Sequence, residues 1–291
     1  MAIDLSASQR GLIAELRADF HTWAPGEASA PVVKAALTGG QSNTVLLMEG
    51  ATGRWALRIA GTARDGVCRH RECRLMQLAS LAGLAPQVSH CDPERGVLIT
   101  RYIAGGTDQR EGPRELAALL RRIHALPCAG EPVYPQRSLP GYLSALATGH
   151  PLEELLRVHR GQLQAAQALL QGPGQPPVIC HNDLLRANRL REGTQMKAID
   201  WEYAAPNDPF FDLAVCASEE TGDPHYARSL LAAYLERPAQ PAEQTRLAAW
   251  SIIYGTLETC WYQRYAADPA MASTARERLG QLLNNGLDHV R

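Results

Sequence analysis

The residue types best suited to catalysis are concentrated in one stretch, where two apolar runs are separated by a short polar turn. They are His181, Asn182, Asp183, Asn188, Asp200 and Glu202. Asp183 and Asn188 have the spacing D-x-x-x-x-N, and a second Asp follows at position 200. Phosphoryl transfer requires such a set, because a carboxylate must face the attacking hydroxyl and oxygen ligands must hold magnesium. The stretch therefore predicts a phosphoryl-transfer loop held between strands.

The first third of the chain carries the elements that would position this loop, and its pattern is mostly β. Residues 45–48 and 54–60 are apolar runs around a glycine-containing turn, which predicts a hairpin. Helices are predicted over residues 6–22 and 68–81, and a buried strand over residues 96–103.

From residue 104 onward the pattern becomes helical, after a break at Ala104–Gly106. The predicted helices cover residues 113–125, 152–170, 209–218, 224–236, 241–265 and 270–289. The predicted fold class is therefore α+β with two lobes. Residues 1–103 would form an N-terminal antiparallel β-sheet lobe with a helix, and residues 104–291 a larger, mainly helical lobe.

The bulk properties exclude several classes of protein. The chain has 291 residues and a net charge of −1, so there is no global basic field for nucleic acid. No apolar run reaches the length of a membrane helix, so we expect no membrane partner and a cytoplasmic location. The seven cysteines are dispersed without a C-x-x-C pair, so we expect reduced thiols, with no disulfides and no metal site built from cysteines. The oligomeric state is not indicated.

Taken in order, these elements resemble the aminoglycoside phosphotransferase and choline/ethanolamine kinase superfamily, which shares the bilobal protein-kinase-like fold. The resemblance extends from Leu37 to about Tyr265 and rests most specifically on residues 181–188 and 199–203. The continuation over residues 207–214 resembles the bacterial choline kinases most. This resemblance implies ATP and Mg²⁺ as cofactors.

The resemblance also implies a role for each polar residue of the loop. Asp183 would accept the proton of the substrate hydroxyl, and Asn188 and Asp200 would bind magnesium through oxygen. Glu202 would share the metal site if the strand bends there; in a regular strand, residues two apart point to one face. His181 would be structural.

Nucleotide binding is assigned by the same resemblance to the N-terminal lobe. A glycine loop would let backbone amides approach phosphates; it consists of Gly39, Gly40, Gln41, Ser42 and Asn43. Arg58 would grip phosphate oxygens as a fork, and Glu72 would pair with it, which adds both to the catalytic set. Ile99, Tyr102 and Ile103 would form a hinge whose backbone edge meets the adenine.

Aromatic residues between positions 250 and 265 bear on the acceptor. Trp250, Tyr254 and Trp261 share one face of the predicted helix, and Glu258 lies at the edge of that face. Aromatic faces beside a carboxylate recognise quaternary ammonium groups. Trp201 and Glu219 would close the cage from the other side, Glu219 by its resemblance to an acidic position of choline kinases. An ordinary core also produces such a stripe, so both interpretations remain open.

The sequence thus predicts an ATP-dependent kinase that phosphorylates the hydroxyl of choline or a similar amino alcohol. Thiamine, ethanolamine, a sugar or an aminoglycoside are the alternative acceptors. A catalytically silent, nucleotide-binding regulatory protein is the alternative from a different functional class.

Overall fold

A computed structural model describes residues 5–37, 43–61, 67–105, 111–128, 130–133, 135–146, 149–171, 176–220, 225–266 and 268–288. The chain divides into two compact units. The first contains Met1–Asp108 and Ala187–Ala204, and the second contains Gln109–Arg186 and Ala205–Arg291.

The first unit is built on one five-stranded antiparallel sheet with the strand order β1-β2-β3-β5-β4. Its strands are β1 (Val32–Ala36), β2 (Thr44–Glu49), β3 (Arg54–Ile59), β4 (Val88–Asp92) and β5 (Val97–Arg101). The hairpin of β2 and β3 agrees with the sequence, whereas β1 and β4 are additional. These two strands lie at the sheet edges and lack the long apolar runs that make a strand recognisable.

The helices α1 (Ala7–Ala18) and α2 (Arg69–Leu81) belong to the same unit. Ser6 begins α1 with a capping box to Gln9. The helix is shorter than predicted, because the chain turns at Asp19 into a short 3-10 segment, Phe20–Thr22. The core of the unit includes Trp23, whose ring meets that of Trp55 edge-on at 5.6 Å.

One expectation about the cysteines is wrong. Cys73 on α2 and Cys91 on β4 form a disulfide, with Cα atoms 6.0 Å apart. The two residues are 18 positions apart, and only the packing of α2 against β4 brings them together. Among the described residues, the five other cysteines form no disulfide.

The segment Ala187–Ala204 packs with the first unit, although the sequence places it in the second lobe. It contains the hairpin of β7 (Arg189–Glu192) and β8 (Gln195–Ala198). The N–H of Ala198 donates to the Leu84 carbonyl at 2.7 Å, and a side chain on Gly105 would overlap the backbone of Arg191. These main-chain contacts involve residues distant in sequence, so the spacing of polar and apolar residues does not reveal them.

The second unit is mainly helical. Its helices are α3 (Pro113–His124), α4 (Leu139–Ser144), α5 (Pro151–Val158), α6 (Arg160–Gln171), α7 (Pro209–Ala217), α8 (Tyr226–Leu235), α9 (Pro241–Tyr265) and α10 (Pro269–Asn285). Its strands β6 (Val178–Cys180) and β9 (Ala205–Asn207) pair antiparallel. The long helix α9 packs against α6, α7 and α10 and forms the centre of the unit.

The helix predicted over residues 152–170 is in fact the pair α5 and α6, divided at His159. Val158 and Gly161 flank the break, and β-branched residues and glycine have low helix propensity. Among the described residues, no helix is both long enough and apolar enough to cross a membrane.

Candidate active site

Three of the predicted residues of the first unit meet at one point. Arg58 on β3 forms ion pairs with Glu72 on α2 and with Asp200, whose Oδ1 lies 3.0 Å from the guanidinium. The side chains of Arg58 and Glu72 are nearly buried, with 10% and 3% of their surfaces exposed. The prediction that Glu72 pairs with Arg58 is therefore matched by the geometry.

Asp200 follows β8 in a left-handed backbone conformation, with φ 60° and ψ 63°. Non-glycine residues rarely adopt this conformation, and strained residues of this kind cluster at functional sites. Burial, and then the Glu202 carboxylate, raise the pKa of Asp200 to about 6, although Arg58 opposes the rise. The N–H of Ile199 donates to the Asn188 carbonyl at 2.9 Å, so Asn188 and Asp200 lie at the same end of the β7–β8 hairpin.

Glu202 lies in a 3-10 turn, Trp201–Tyr203, and not in the regular strand that the sequence suggests. Its Oε2 accepts hydrogen bonds from Arg69 at 3.0 Å and from the Asn43 amide at 3.1 Å. Arg58 is farther from the same oxygen, at 3.7 Å. Arg69 was not singled out in the sequence, because its contact with Glu202 spans 133 residues.

The donor set of this cluster fits a divalent cation and a phosphate. Three carboxylates face two guanidinium groups; the members are Glu72, Asp200, Glu202, Arg58 and Arg69. The remaining negative charge and the oxygen donors of Asp200 and Asn188 suit magnesium. In addition, Nε of Arg58 is buried and has no hydrogen-bond partner among the described residues, which leaves a donor for an anionic ligand.

The structure describes only some of the predicted nucleotide-binding residues. Of the glycine loop, Asn43 is described, whereas Gly39, Gly40, Gln41 and Ser42 lie outside the described residues. Ile99 is fully buried, and its backbone is paired with Leu57 on one side and with His90 on the other, so it has no free edge for an adenine. The hinge prediction therefore narrows to Tyr102 and Ile103, which follow the end of β5.

In the second unit, the loop after β6 is held by one buried carboxylate. Asp212 on α7 is fully buried and accepts the N–H of His181 at 2.8 Å and that of Asn182 at 2.7 Å. Asn182 has a left-handed backbone with φ 63°, and its side chain accepts a hydrogen bond from Asn207 at 2.9 Å. Asp183 is the next residue and is half-buried. The loop is thus fixed on both sides immediately before the predicted catalytic carboxylate.

The same carboxylate is part of a wider network that the sequence did not reveal. Nε2 of His124 is 3.1 Å from Asp212, and Nδ1 is 2.8 Å from the Tyr234 hydroxyl. Ligand atoms of His124, Cys180 and Asp212 lie within 4.8 Å of one another, as in a metal site. However, both ring nitrogens and both Asp212 oxygens already have partners, and burial raises the pKa of the Cys180 thiol well above its usual value. The cluster is therefore a hydrogen-bond network and does not fit a metal.

Two acidic residues at the end of α7 hold the far side of the loop. Glu219 accepts the backbone N–H of Arg186 at 2.7 Å, and Glu220 pairs with the Arg186 guanidinium. Glu219 therefore holds the loop in place at Arg186. From Asp183 to Asn188 the chain passes from the second unit into the first.

The predicted aromatic cage is only partly available. Trp201 and Trp250 each have 1% of their surface exposed, and the Trp201 indole donates to the Ala198 carbonyl at 3.0 Å. Trp250 packs edge-on against Phe211 at 5.4 Å. Both tryptophans are therefore core residues of their own units, and neither presents a ring face to a ligand.

The outer part of α9 combines aromatic and charged groups. Trp261 and Tyr262 are half-buried, with ring centroids 5.3 Å apart. Tyr254 is 8% exposed, and its hydroxyl lies 3.5 Å from Glu258, which also pairs with Arg278 at 2.9 Å. Burial raises the pKa of Glu258; Arg278 and Tyr254 oppose the rise, and Glu219 adds to it.

Electrostatic influence links this group to the catalytic loop. Burial raises the pKa of Tyr254, and the negative charges of Glu258 and Asp183 raise it further. The pKa of Tyr262 is raised by burial and by Glu258, Asp183 and Glu219 among its neighbours. Asp183 and Glu258 therefore act on both phenols, and Glu219 acts on that of Tyr262.

Comparison with known proteins decides the family. A model of the phosphotransferase enzyme family matches residues 35–250, which include Arg58, Asp183, Asp200 and Asp212. The chain belongs to the phosphotransferase enzyme family. The match ends at residue 250, so the outer part of α9 lies beyond the shared region.

Similar solved structures support this phosphotransferase assignment. A choline/ethanolamine kinase family protein from Mesorhizobium loti is 26% identical, covers 96% of this chain and 98% of that chain, and has a TM-score of 0.70. The choline kinase LicA from Streptococcus pneumoniae is 18% identical, covers 96% of this chain and 100% of that chain, and has a TM-score of 0.75. The second likeness is one of fold.

A curated relative, protein LicA of Haemophilus influenzae, is 42% identical over 55 residues. The match spans 19% of this chain and 21% of that protein, so the chain covers about a fifth of the relative's length. The predicted family, the predicted α+β kinase-like fold and the predicted phosphotransferase activity are confirmed by these comparisons. The phosphotransferase is therefore a small-molecule kinase with a hydroxyl acceptor.

Proposed function

We propose that this kinase transfers the γ-phosphate of ATP to the hydroxyl of choline or a similar amino alcohol. The observation that carries the proposal is the fixed position of Asp183 directly after a loop that Asp212 holds through two backbone N–H groups. Because the loop before it is held in place, the Asp183 carboxylate stays in position to orient a substrate hydroxyl.

The reaction then proceeds in one displacement. Asp183 accepts the proton of the acceptor hydroxyl while the hydroxyl oxygen forms a bond to the γ-phosphorus. The bond from that phosphorus to the oxygen of the β-phosphate breaks, and ADP leaves. Since little covalent chemistry falls to the protein, positioning and charge neutralisation account for most of the acceleration.

Nucleotide and metal binding are assigned to the first unit. Arg58 would contact phosphate oxygens, and its buried Nε supports this role. Asp200 and Asn188 would hold Mg²⁺, with Glu202 beside them; bound magnesium supplies positive charge to the phosphates. Gly39, Gly40, Gln41 and Ser42 would cradle the phosphates, and the backbone at Tyr102 and Ile103 would meet the adenine; these roles rest on the family pattern.

The acceptor site is proposed on the outer part of α9 and the end of α7. Tyr254, Trp261, Glu219 and Glu258 belong to the sequence prediction. Tyr262 is added because Glu258, Asp183 and Glu219 all raise its pKa. Trp201 and Trp250 do not belong to the proposed acceptor site, because they are buried. A cationic acceptor suits this set, since acidic groups and aromatic rings both attract an ammonium group.

One observation favours ethanolamine, or another acceptor with N–H groups, as the second candidate. Without the two buried tryptophans, the proposed acceptor site consists mostly of carboxylates and phenols, which accept hydrogen bonds. A quaternary ammonium has no N–H to donate, whereas a primary ammonium can donate three.

The experiment is a panel of acceptors with purified protein, ATP and Mg²⁺, in which ADP release is measured and the phosphorylated product is identified by mass spectrometry. The panel contains choline, ethanolamine, thiamine, a hexose and an aminoglycoside. The proposal predicts the highest kcat/KM with choline or ethanolamine. Preference for the sugar or the aminoglycoside contradicts it, and binding of nucleotide without turnover on any acceptor favours a regulatory protein.

A further inference from the structure

Arg69 has an unusual position for a cationic residue. It is the first residue of α2, at the helix end where the backbone dipole favours negative groups. Its guanidinium is also largely buried, with 18% of the side chain exposed. Both features disfavour a positive charge, so its partners must stabilise the side chain in this place.

The partners come from three separate parts of the first unit. The same nitrogen of Arg69 donates to Glu72 at 2.8 Å, within α2, and to Glu202 at 3.0 Å, beyond β8. Its second terminal nitrogen is 3.5 Å from the Asn43 side-chain oxygen, at the start of β2. The guanidinium of Arg69 therefore lies beside Asn43, the last residue of the glycine loop.

Asn43 completes a closed arrangement. Its amide nitrogen donates to Glu202 at 3.1 Å, and its oxygen accepts the backbone N–H of Gly61 at 3.3 Å, just after β3. Asn43 and Arg69 thus converge on one oxygen of Glu202. Glu72 is shared in turn between Arg69 and Arg58, which extends the arrangement to the proposed phosphate ligand.

We propose that Arg69 is a positioning residue of the nucleotide site, which fixes the end of the glycine loop through Asn43 and Glu202 and fixes Arg58 through Glu72. The proposal rests on the proposed nucleotide binding of the first unit. Arg69 acts through other residues and does not touch the nucleotide. A planar guanidinium is required, because one terminal nitrogen faces both carboxylates and the other faces the amide oxygen, whereas the three N–H groups of a lysine share a single nitrogen.

A purely structural ion pair would show a different pattern of effects. Removal of such a pair lowers the stability of the folded state and leaves the nucleotide affinity of the folded fraction unchanged. A positioning residue changes the affinity itself, and it does so through the residues that it holds. Arg74 lies on the same helix and is exposed, so its replacement is the matched control.

The test is isothermal titration calorimetry with ADP, with and without MgCl₂, on the folded protein. Arg69→Met is expected to weaken ADP binding by at least about tenfold, the effect of losing hydrogen bonds to charged groups. Arg69→Lys is expected to fall between Arg69→Met and the wild type, and Arg74→Met to bind as the wild type does. If Arg69→Met does not fold, Arg69→Lys alone must show weakened binding for the proposal to stand.

A double-mutant cycle with Asn43→Ala makes the test specific. If Arg69 acts through Asn43, the double variant is expected to bind ADP about as weakly as the weaker single variant, because the two changes break one arrangement. Unchanged ADP affinity in Arg69→Met, or losses that multiply in the double variant, would overturn the inference while leaving the proposed function in place. If the wild type does not bind ADP at all, the proposed function fails, and the inference fails with it.

Discussion

Arg58 and Asp200 are 142 residues apart in the sequence, and their side chains are hydrogen-bonded at 3.0 Å. One residue lies on a central strand of the sheet, and the other follows the β7–β8 hairpin in a left-handed conformation. Their contact joins the proposed phosphate ligand to the proposed metal ligand within one unit.

Replacement of Arg58 is expected to disable the nucleotide site. Arg58→Met leaves Glu72 and Asp200 without their shared guanidinium. Breaking a buried ion pair in this way lowers the free energy of unfolding by about 3 kcal/mol or more. Because Arg58→Met also removes the proposed charge-assisted contacts with the phosphates, we expect a fall in kcat/KM for ATP of at least about a hundredfold. Arg58→Lys keeps the charge but loses the fork, and steady-state kinetics should place it between the two. Equal kcat/KM values for Arg58→Met and the wild type would contradict this role.

The Tyr234 hydroxyl is expected to affect turnover from a distance. Because the Asp212 carboxylate accepts a hydrogen bond from Nε2 of His124, Nδ1 is the acceptor for the Tyr234 O–H. Tyr234→Phe leaves Nδ1 buried without a donor, and we expect kcat to fall about tenfold with an unchanged KM for ATP.

Asp212→Asn is the companion variant for this network, and it should cost more than Tyr234→Phe. It changes the carboxylate that accepts the N–H groups of His181 and Asn182 directly. A pre-steady-state measurement of the phosphoryl-transfer step separates this effect from product release. A rise in KM for ATP without a change in kcat would show that the network does not serve Asp183.

Acceptor binding is expected to weaken at low pH through Glu258. The pKa of this group is raised above its ordinary value of 4.5, so its negative charge is lost as the pH falls through that raised value. The KM for a cationic acceptor should therefore rise on acidification, and it should do so at a higher pH than an ordinary Glu would cause.

Arg278 lowers the pKa of Glu258, so Arg278→Met should move this transition to still higher pH. The measurement is acceptor KM from about pH 5 to about pH 8. Glu258→Gln supplies the control, since it should abolish the transition. A transition that persists in Glu258→Gln belongs to another group.

The disulfide gives a prediction that is independent of catalysis. Protein purified under oxidising conditions and unfolded in urea should show five reactive thiols, and seven after reduction, because two of the seven cysteines are paired. The bridge joins residues 18 positions apart, and closing such a loop stabilises a protein by about 3 kcal/mol.

The double variant Cys73→Ser and Cys91→Ser should therefore unfold at a lower urea concentration than the oxidised wild type. The two proteins should differ little once the wild type is reduced. Seven reactive thiols before reduction would show that the cysteines are free, as the sequence suggests.

Local patterns in the sequence predicted those site residues that lie close together along the chain. The spacing of Asp183, Asn188 and Asp200 is visible because a short loop and one hairpin carry all three. Helix α9 was predicted with its observed ends, since Pro241 occupies the first helical position, where proline is favoured.

Contacts between distant residues were not predictable in the same way. Arg69 meets Glu202 across 133 residues, and His124 meets Tyr234 across 110, so no spacing rule connects them. The aromatic stripe on α9 left two interpretations open for a different reason: helical periodicity shows that residues share a face but does not show what covers it. Trp250 is covered by Phe211, whereas Trp261 remains half-exposed.

The most direct test of the central claim is the variant Asp183→Asn, assayed in a single turnover with ATP, Mg²⁺ and the best acceptor of the panel. Asparagine keeps the shape of the side chain and cannot accept the hydroxyl proton. Phosphoryl transfer is expected to slow by at least about a thousandfold while the affinity for ADP stays within about twofold. A variant that binds ADP normally and still transfers the phosphoryl group within about tenfold of the wild-type rate would contradict the account.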